Sequence, residues 1–316
     1  MISIVIPVLN EEENLAPLHR EIDEVLRSSR LDAEMILVDD GSEDGSWNEI
    51  TQLASRDPRV QGIRFRRNFG KAAALSAGFA CSRGDLVVTL DADLQDNPSE
   101  IPGLIGRLEA GFDLVNGWKR NRYDPWHKVV PSRIFNWMIR FASGLQLHDH
   151  NCGLKGYRVE VTREIRVYGE LHRFITLLAH ARGFRVTEME VQHRPRIHGQ
   201  SNYGMERFVK GLLDLLTVRV LTLFGERPLH FLGAAGLIAF AVGFSGLAYL
   251  GWLWLTGHRP IGTRPVLIYS AASLLLGAQM LSAGILAELI VSRLGGNGDS
   301  SHSYSVAERI GFRSGE

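Results

Sequence analysis

Several features that mark common protein classes are scarce or missing in this sequence. Only two cysteines, Cys81 and Cys152, occur in 316 residues, which is too few for a disulfide framework or a cysteine-based zinc site. Lysine plus arginine and aspartate plus glutamate balance at 35 each, so no net charge favours nucleic acid as a partner. The opening residues MISIVIPVLN lack the basic start and cleavage site of a signal peptide. We therefore expect the N-terminal region to stay on the side of a membrane where it is made.

The glycine turn of a dinucleotide-binding protein is also missing. No G-x-G-x-x-G follows the first apolar run, SIVIPV at 3–8, although that motif forms the phosphate-binding turn of dinucleotide-dependent dehydrogenases. There are no internal repeats either. These absences exclude the commonest class of nucleotide-dependent oxidoreductase and leave other nucleotide-binding enzymes to consider.

Two long apolar runs stand out in the C-terminal third of the chain. Leu229–Leu255 and Pro265–Val291 each hold 27 residues, where about 20 suffice to cross a bilayer. The alternative, two helices buried in a soluble core, requires helices that stay apolar on every face. Basic residues are more numerous outside the pair than in its connecting loop: Arg207, Lys210, Arg219, Arg227 and Arg293, against Arg259 and Arg264. By the positive-inside rule, the sequence predicts a transmembrane hairpin in the cell inner membrane with the N-terminal domain in the cytoplasm.

Short apolar runs alternate with helical patterns before the hairpin. Strands are predicted at 3–8, 34–40, 60–65, 86–93 and 113–118, with helices near 12–29, 45–56, 70–82 and 98–110. Strands that are apolar on both faces and separated by helices predict an α/β fold with a mostly parallel, Rossmann-like sheet. A further run at 184–191 alternates with a period of two, which predicts a half-exposed or edge strand.

These patterns divide the chain into four predicted segments. Residues 1–204 form the α/β domain, 229–291 the transmembrane hairpin and 292–316 a flexible cytoplasmic tail. In 205–228, polar residues fall on one helical face, which predicts an amphipathic helix at the membrane interface. An ordinary amphipathic core helix stays open as the alternative for this segment.

Acidic residues collect where three predicted strands end. PVLNEEE, VDDGSEDGS and LDADLQD contribute Glu11, Asp39, Asp40, Asp91 and Asp93, and ligands of parallel sheets bind at the carboxyl ends of the strands. Asp91 and Asp93 are two residues apart in an extended segment, so both carboxylates can lean to one side. Hard oxygen ligands suit Mg²⁺ or Mn²⁺, which keep coordination positions for substrate phosphates. The sequence predicts a divalent cation that neutralises a bound diphosphate.

The motifs together resemble glycosyltransferase family 2. The resemblance rests on SIVIPVLNEEENL, ILVDDGSEDGS, NFGKAAALSAGF, LDADLQDNP, HDHNCGLKGYR and HRPRIHGQSNYG, and it covers nearly the whole chain. With the C-terminal hairpin, the sequence is similar to the dolichol-phosphate mannose synthase branch and its bacterial polyprenyl-phosphate relatives. The resemblance implies a GT-A fold, a nucleotide-sugar donor, a divalent metal, inversion at the anomeric carbon and a lipid-phosphate acceptor.

The resemblance also implies roles for individual residues. Pro7, Leu9, Glu11 and Asp39 border the base and ribose, Asp40 supports the turn, and Lys71 lies near the nucleotide. Asp91, Asp93 and Gln95 match the metal motif, with Asp91 also near the nucleotide. Arg194, Arg196 and Ser201 match a segment that closes over the diphosphate, where Asn202 replaces a lysine that is frequent in the family. Asp93, Asp149, Arg194 and Arg196 are the expected catalytic residues.

The acceptor phosphate requires its own cationic contacts. A phosphate monoester is largely a dianion near neutral pH, with a second pKa of about 6, so it needs positioning more than a general base. Basic residues that could hold it are Lys119, Arg120, Arg122 and Arg133; a solvated loop is the alternative. Asp149 resembles a polar residue near the family's acceptor site, and a capping role is its alternative.

The sequence therefore predicts an inverting, metal-dependent transferase that moves one sugar from a nucleotide to polyprenyl phosphate at the cytoplasmic membrane face. UDP is the predicted nucleotide, while GDP, as in a GDP-mannose-dependent synthase, stays open. A homo-oligomer is expected from the resemblance. One alternative is a processive polysaccharide synthase, although the sequence has no Q-x-x-R-W element. The other is a non-catalytic membrane scaffold, which would not need Asp91, Asp93 and Arg194.

Overall fold

The protein is described here from a computed structural model. The structure describes residues 1–120, 145–165, 167–169, 171–194, 228–258, 260, 262, 264–294 and 306–310. The chain divides into two compact units, one from 1–219 and 302–316 and the other from 220–301. The boundary predicted at 204/205 lies outside the described residues, and the one predicted at 228/229 lies at the start of the described range 228–258. The amphipathic helix predicted for 205–228 therefore lies almost wholly outside the described residues.

An eight-stranded mixed sheet forms the centre of the first unit. Its strands are β1 (Ile2–Val8), β2 (Ala33–Asp39), β3 (Val60–Phe65), β4 (Leu86–Thr89), β5 (Leu114–Trp118), β6 (Lys155–Arg158), β7 (Val186–Glu190) and β8 (Val306–Ile310). They lie in the order β7-β5-β6-β4-β1-β2-β3-β8. The block β4-β1-β2-β3 is parallel, because each connection crosses over through a helix. The predicted Rossmann-like GT-A architecture is confirmed.

Helices cover both faces of the sheet. They are α1 (Glu12–Ser29), α2 (Ser46–Arg56), α3 (Lys71–Cys81), α4 (Ile101–Glu109), α5 (Val159–Glu164) and α6 (Ile175–Ala181). One apolar core joins α1, α2 and α4 to one face, and a second joins α3, α5 and α6 to the other. All four helices predicted before residue 110 are present. The strands between them are apolar on both sides because both faces of the sheet are covered.

Two strands were not expected, and one prediction was wrong. β6 is antiparallel to both β4 and β5, and the sequence pattern of 148–158 does not predict a strand there. Part of the predicted flexible tail, Val306–Ile310, instead pairs antiparallel with β3. An edge strand has unpaired backbone groups that can bond any segment that reaches it. Local sequence patterns do not predict which distant segment will pair there. β7, by contrast, lies at the sheet edge as predicted.

The second unit is a hairpin of two long helices, α7 (Pro228–Leu255) and α8 (Pro265–Leu294). Both are long and apolar enough to be candidate membrane spans, and less than a fifth of the most apolar part of either helix is buried. Large side chains such as Trp252 and Tyr269 are well exposed. A Cβ added at Gly277 would lie 2.5 Å from the backbone nitrogen of Phe240, so a small residue permits close helix packing here.

Candidate active site

The loops that follow β1 and β2 are bonded to each other at the carboxyl edge of the sheet. The backbone nitrogen of Asn10 donates to Ser42 Oγ at 2.9 Å, and the nitrogen of Glu43 donates to Asn10 Oδ1 at 2.9 Å. Glu11 is bonded in the same way through its backbone nitrogen to Ser46 Oγ, at 2.9 Å. Leu9, at the tip of the β1 loop, is exposed. The two loops at the predicted nucleotide-binding edge are therefore held together by hydrogen bonds, with the Leu9 side chain exposed beside them.

Asp39 carries a buried carboxylate at the end of β2. Its Oδ1 accepts the backbone N–H of Ser42 at 2.9 Å. Its Oδ2 lies 3.5 Å from Nε of Arg64 but has no hydrogen bond in the part of the chain that the structure describes. A buried polar atom without a hydrogen bond is rare and calls for an explanation. Oδ2 is therefore a buried acceptor next to the Arg64 guanidinium.

Asp40 is a loop anchor. Its two carboxylate oxygens accept the backbone N–H groups of Phe69 and Gly70 at 2.7 and 2.9 Å. Burial raises the pKa of Asp40 and the two N–H groups work against that rise. The bonded loop leads directly into α3, whose first residue is Lys71. Asp40 thus holds the loop that precedes α3.

Asp91 and Lys71 form an ion pair just beyond β4. Burial would raise the pKa of Asp91, but the ammonium groups of Lys71, Lys119 and Lys155 outweigh it and lower the pKa. The carboxylate consequently stays ionised at neutral pH. Both side chains remain about a third exposed, so the pair faces open space at the carboxyl edge of the sheet.

Asp93 lies in a tight turn two residues further on. Its Oδ1 accepts the backbone N–H of Gln95 at 3.2 Å, and Leu94 between them has a φ of 60°. A left-handed backbone at an apolar, non-glycine residue costs about 1–3 kcal/mol and is typical of functional sites. The turn bonds Gln95 to Asp93, and the metal role of Asp91, Asp93 and Gln95 stays a prediction.

The segment Asp91–Gln95 offers a divalent cation only a few protein ligands, which leaves other coordination positions for the substrate. No group of three or more His, Cys, Asp or Glu side chains that could hold a metal occurs within the described ranges. Mg²⁺ is commonly held by only one or two carboxylates plus substrate phosphates. Asp93, with Asp91 beside it, fits that pattern, whereas a cage made by the protein alone does not.

The predicted acceptor contacts differ in position. Lys119 is buried and pairs with Asp96 at 2.7 Å; burial would lower its pKa, but the Asp96 carboxylate outweighs this and raises it. The Lys119 ammonium is therefore paired with Asp96 and is not free to bind an acceptor phosphate. Its positive charge instead helps to lower the pKa of Asp91. Arg120 is exposed and lies 3.4 Å from Glu190. Arg122 and Arg133 lie outside the described residues.

Asp149 and Arg194 have structural partners. Asp149 is buried, and its Oδ1 accepts the backbone N–H of Asn151 at 3.0 Å, the capping arrangement that was the alternative to an acceptor role. Arg194 donates to both carboxylate oxygens of Glu21, at 3.0 and 2.8 Å, and to Asn97. This differs from the predicted diphosphate contact, because Arg194 anchors the start of its segment to α1. Arg196 and Ser201 lie outside the described residues.

Sequence reasoning missed Lys155, the first residue of β6. Its side chain is buried, and its ammonium donates to the backbone carbonyl of Cys152. Burial lowers the pKa of Lys155, while the nearby Asp149 and Asp91 carboxylates oppose that shift. The lysine in CGLKGYR could have been recognised from the sequence as a candidate site residue. Only the antiparallel pairing of β6 with β4 shows that it lies close to Asp91.

The C-terminal strand reaches the same edge through a short series of contacts. Glu308 on β8 lies opposite Arg64 on β3 and accepts a hydrogen bond from Trp47 Nε1 at 3.1 Å. The Arg64 guanidinium lies 5.8 Å from the centroid of the Trp47 ring, and its Nε approaches Asp39. β8 is thereby connected to the buried carboxylate at the end of β2.

Comparison with known proteins places this geometry in a family. The family described as glycosyl transferase family 2 matches residues 3–166. The chain is 37% identical over 312 residues to the dodecaprenyl-phosphate galacturonate synthase of Rhizobium johnstonii, covering 97% of this chain and 92% of that protein. It is 36% identical over 292 residues to the undecaprenyl-phosphate 4-deoxy-4-formamido-L-arabinose transferase of Pseudomonas paraeruginosa, covering 92% and 85%.

Solved structures of similar fold are more distant in sequence. Glucosyl-3-phosphoglycerate synthase from Mycobacterium tuberculosis, in complex with Mn²⁺ and uridine-diphosphate-glucose, superposes with a TM-score of 0.53 at 21% identity. The match covers 70% of this chain and 78% of that one. At this identity the likeness concerns the fold, and it agrees with the sheet order and helix placement described above.

Proposed function

Because the chain belongs to glycosyl transferase family 2, we propose that it transfers one sugar from a UDP-sugar to a polyprenyl phosphate, with inversion at the anomeric carbon. The observation that carries the proposal is the convergence of Asp39, Asp91 and Asp93 at one sheet edge in a chain that also has two candidate membrane spans. The full-length relatives named above act on polyprenyl phosphates by their names. A lipid acceptor explains why one chain carries both features.

The donor nucleotide would bind across the ends of β1 and β2. The Asp39 Oδ2 atom has no hydrogen bond within the described part of the chain, so it can accept one from the N–H of a base or the hydroxyl of a ribose. Pro7 and Leu9 offer apolar contact, and Glu11 completes this edge. Asp40 holds the loop that presents Lys71. We assign the nucleoside to this part of the site.

The diphosphate would lie over the turn at Asp91–Gln95. Asp93, with Asp91 beside it, would hold Mg²⁺ or Mn²⁺, which when bound supplies positive charge to the departing nucleotide. Lys71 adds a cation at the same edge, and Arg196 and Ser201 are proposed contacts from outside the described residues. Charge stabilisation of the leaving group is then the main catalytic contribution of this chain.

The acceptor phosphate can attack without a strong general base, because it is already largely a dianion at neutral pH, with a second pKa of about 6. Its positioning is assigned to Arg120, Arg122 and Arg133. We propose an inner-membrane protein whose catalytic unit faces the cytoplasm, since basic residues are denser beside the hairpin than in its loop. Assembly as a homo-oligomer is part of the same proposal.

The test is a transfer assay with the full-length protein in detergent, polyprenyl phosphate, and a panel of UDP- and GDP-sugars with Mg²⁺ or Mn²⁺. We expect a sugar-labelled lipid from one UDP-sugar, lost on chelation. Asp93→Asn should abolish transfer, whereas Asp32→Asn, at an exposed position, should leave it unchanged. An active Asp93→Asn protein contradicts the metal assignment, and release of nucleotide without any lipid product contradicts the acceptor.

A further inference from the structure

The carboxylate of Asp96 directly follows the metal-motif segment Asp91–Gln95 and is buried, with 1% of the residue exposed. One of its oxygens lies 2.7 Å from the ammonium of Lys119, the residue that follows β5. Its other oxygen lies 3.5 Å from the backbone nitrogen of Asp91, at the opposite end of the same segment. The Asp96 side chain therefore connects both ends of the segment to the end of β5.

A second set of contacts holds the segment from the side of β7. The backbone N–H of Arg194 donates to the carbonyl of Gln95 at 2.9 Å, and His193 forms an isolated β-bridge with Asp96. Both residues lie just beyond the end of β7, which pairs parallel with β5. The two anchors of the segment therefore come from the carboxyl ends of neighbouring parallel strands.

The backbone of the segment Asp91–Gln95 is strained and needs support from outside. Leu94 has a φ of 60°, a conformation that costs free energy and persists only where surrounding contacts enforce it. The hydrogen bond within the turn, from the N–H of Gln95 to Asp93 Oδ1, is at the long end of the usual range, at 3.2 Å. The contacts of Asp96 on one side, and of the residues after β7 on the other, supply further restraint.

Stability alone does not explain why this anchor is a buried ion pair. The Asp96 side chain has no exposed surface and that of Lys119 is 13% exposed, so both charges lose most of their hydration. Apolar side chains of similar volume often replace such a pair without loss of stability. Polar groups that orient the ligands of a metal are different, because their replacement typically reduces metal affinity about 10- to 100-fold. The position of the pair next to the predicted metal ligands favours this second role.

We propose that Asp96 and Lys119 are positioning residues for the divalent cation: their buried ion pair holds the segment Asp91–Gln95 in the conformation that binds the metal. The inference rests on the proposed function, because it concerns the cation assigned there. It extends that function to two residues that themselves contact neither metal nor substrate. Lys119, predicted from the sequence as an acceptor contact, thereby takes a different role.

The test is Mn²⁺ binding to the full-length protein in detergent, followed by the EPR signal of free Mn²⁺ at a fixed UDP concentration with a UDP-only blank. Asp96→Asn alone leaves the Lys119 ammonium buried without its anion and can prevent folding, so the decisive variant is Asp96→Asn with Lys119→Met, which removes both charges. We expect this double variant to keep a Tm close to that of the wild type and to bind Mn²⁺ about 10- to 100-fold more weakly. Lys119→Arg, which keeps the ion pair, should bind Mn²⁺ more tightly than the double variant.

The matched control removes an exposed ion pair, that of Arg182 with Glu164 at 3.9 Å; Arg182→Met with Glu164→Gln should leave Mn²⁺ affinity unchanged. A folded Asp96→Asn/Lys119→Met protein that binds Mn²⁺ like the wild type overturns the inference, even where Asp93→Asn abolishes binding. A double variant with a much lower Tm also overturns it, because the pair is then structural. Weakened Mn²⁺ binding in the double variant, with no lipid product from the wild type, supports the inference and contradicts the proposed acceptor. If the wild type does not bind Mn²⁺, the inference falls together with the metal assignment.

Discussion

Replacing Asp40 with alanine should release the loop that leads into α3. The wild-type carboxylate accepts the backbone N–H groups of Phe69 and Gly70, and alanine leaves both without their acceptor. An unsatisfied buried donor costs about 1–3 kcal/mol. Both amides belong to half-buried residues, so the lower end applies, about 2 kcal/mol for the two together. For a folded unit of this size, that corresponds to a decrease in Tm of about 4–8 °C.

Thermal unfolding of the full-length protein in detergent measures this effect. Asp40→Asn retains one acceptor oxygen and should lose less than Asp40→Ala. The exposed residue Asp32 provides the matched control, because Asp32→Ala removes a carboxylate without a loop contact. Affinity for UDP should fall in Asp40→Ala as well, because the same loop presents Lys71 at the start of α3. An Asp40→Ala protein that is as stable as Asp32→Ala would refute the anchoring role.

Three further outcomes can be checked independently. Glu308→Ala removes the acceptor of the Trp47 indole, whose ring lies beside Arg64 and so next to Asp39. It should raise KM for the donor about 2- to 10-fold with kcat unchanged. An unchanged KM would contradict the connection from β8 to the nucleotide edge. Burial raises the pKa of Asp57, but hydrogen bonds from Arg59 outweigh it and hold the pKa well below its ordinary 3.8. The contribution of the Asp57 carboxylate to folding stability is therefore complete above pH 3.8 and is lost as the pH falls through the folded-state pKa. Asp57→Asn should therefore lower Tm at pH 7 and make Tm less sensitive to acid, and parallel Tm-against-pH curves would argue against this. Gly277→Leu should destabilise the hairpin in detergent, because even a Cβ meets the facing backbone, and normal stability would mean that α7 and α8 are not closely packed there.

Local periodicity was sufficient to predict much of the sheet and its helices. The run SIVIPV appears within β1, and the first half of LVVTLDAD, LVVT, appears as β4, since strands buried on both faces must be apolar throughout. The predicted strand ends four residues early, at Thr89. The common location of Asp39, Asp91 and Asp93 followed from one rule, that parallel strands end at the same edge. Which ligands these acids bind stays a prediction.

Contacts between distant parts of the chain could not be predicted in this way. Arg194 pairs with Glu21, 173 residues earlier, and Lys119 is buried against Asp96, so two predicted ligand contacts have protein partners instead. A cationic side chain in a loop has the same local sequence pattern whether it faces solvent or a carboxylate. Its partner depends on how the loops fold back over the sheet.

The amino-acid sequence by itself determined the α/β alternation, the acidic carboxyl edge and the apolar hairpin, because each depends on residue spacing within a short window. Only the tertiary structure decided that β6 enters the sheet antiparallel and that the C-terminal strand closes its far edge. It also decided that Lys155 lies with Asp91 in the lining of one small cavity. The physical reason is that strand pairing and charge burial are set by long-range contacts, whose partners are separated by tens to hundreds of residues along the chain.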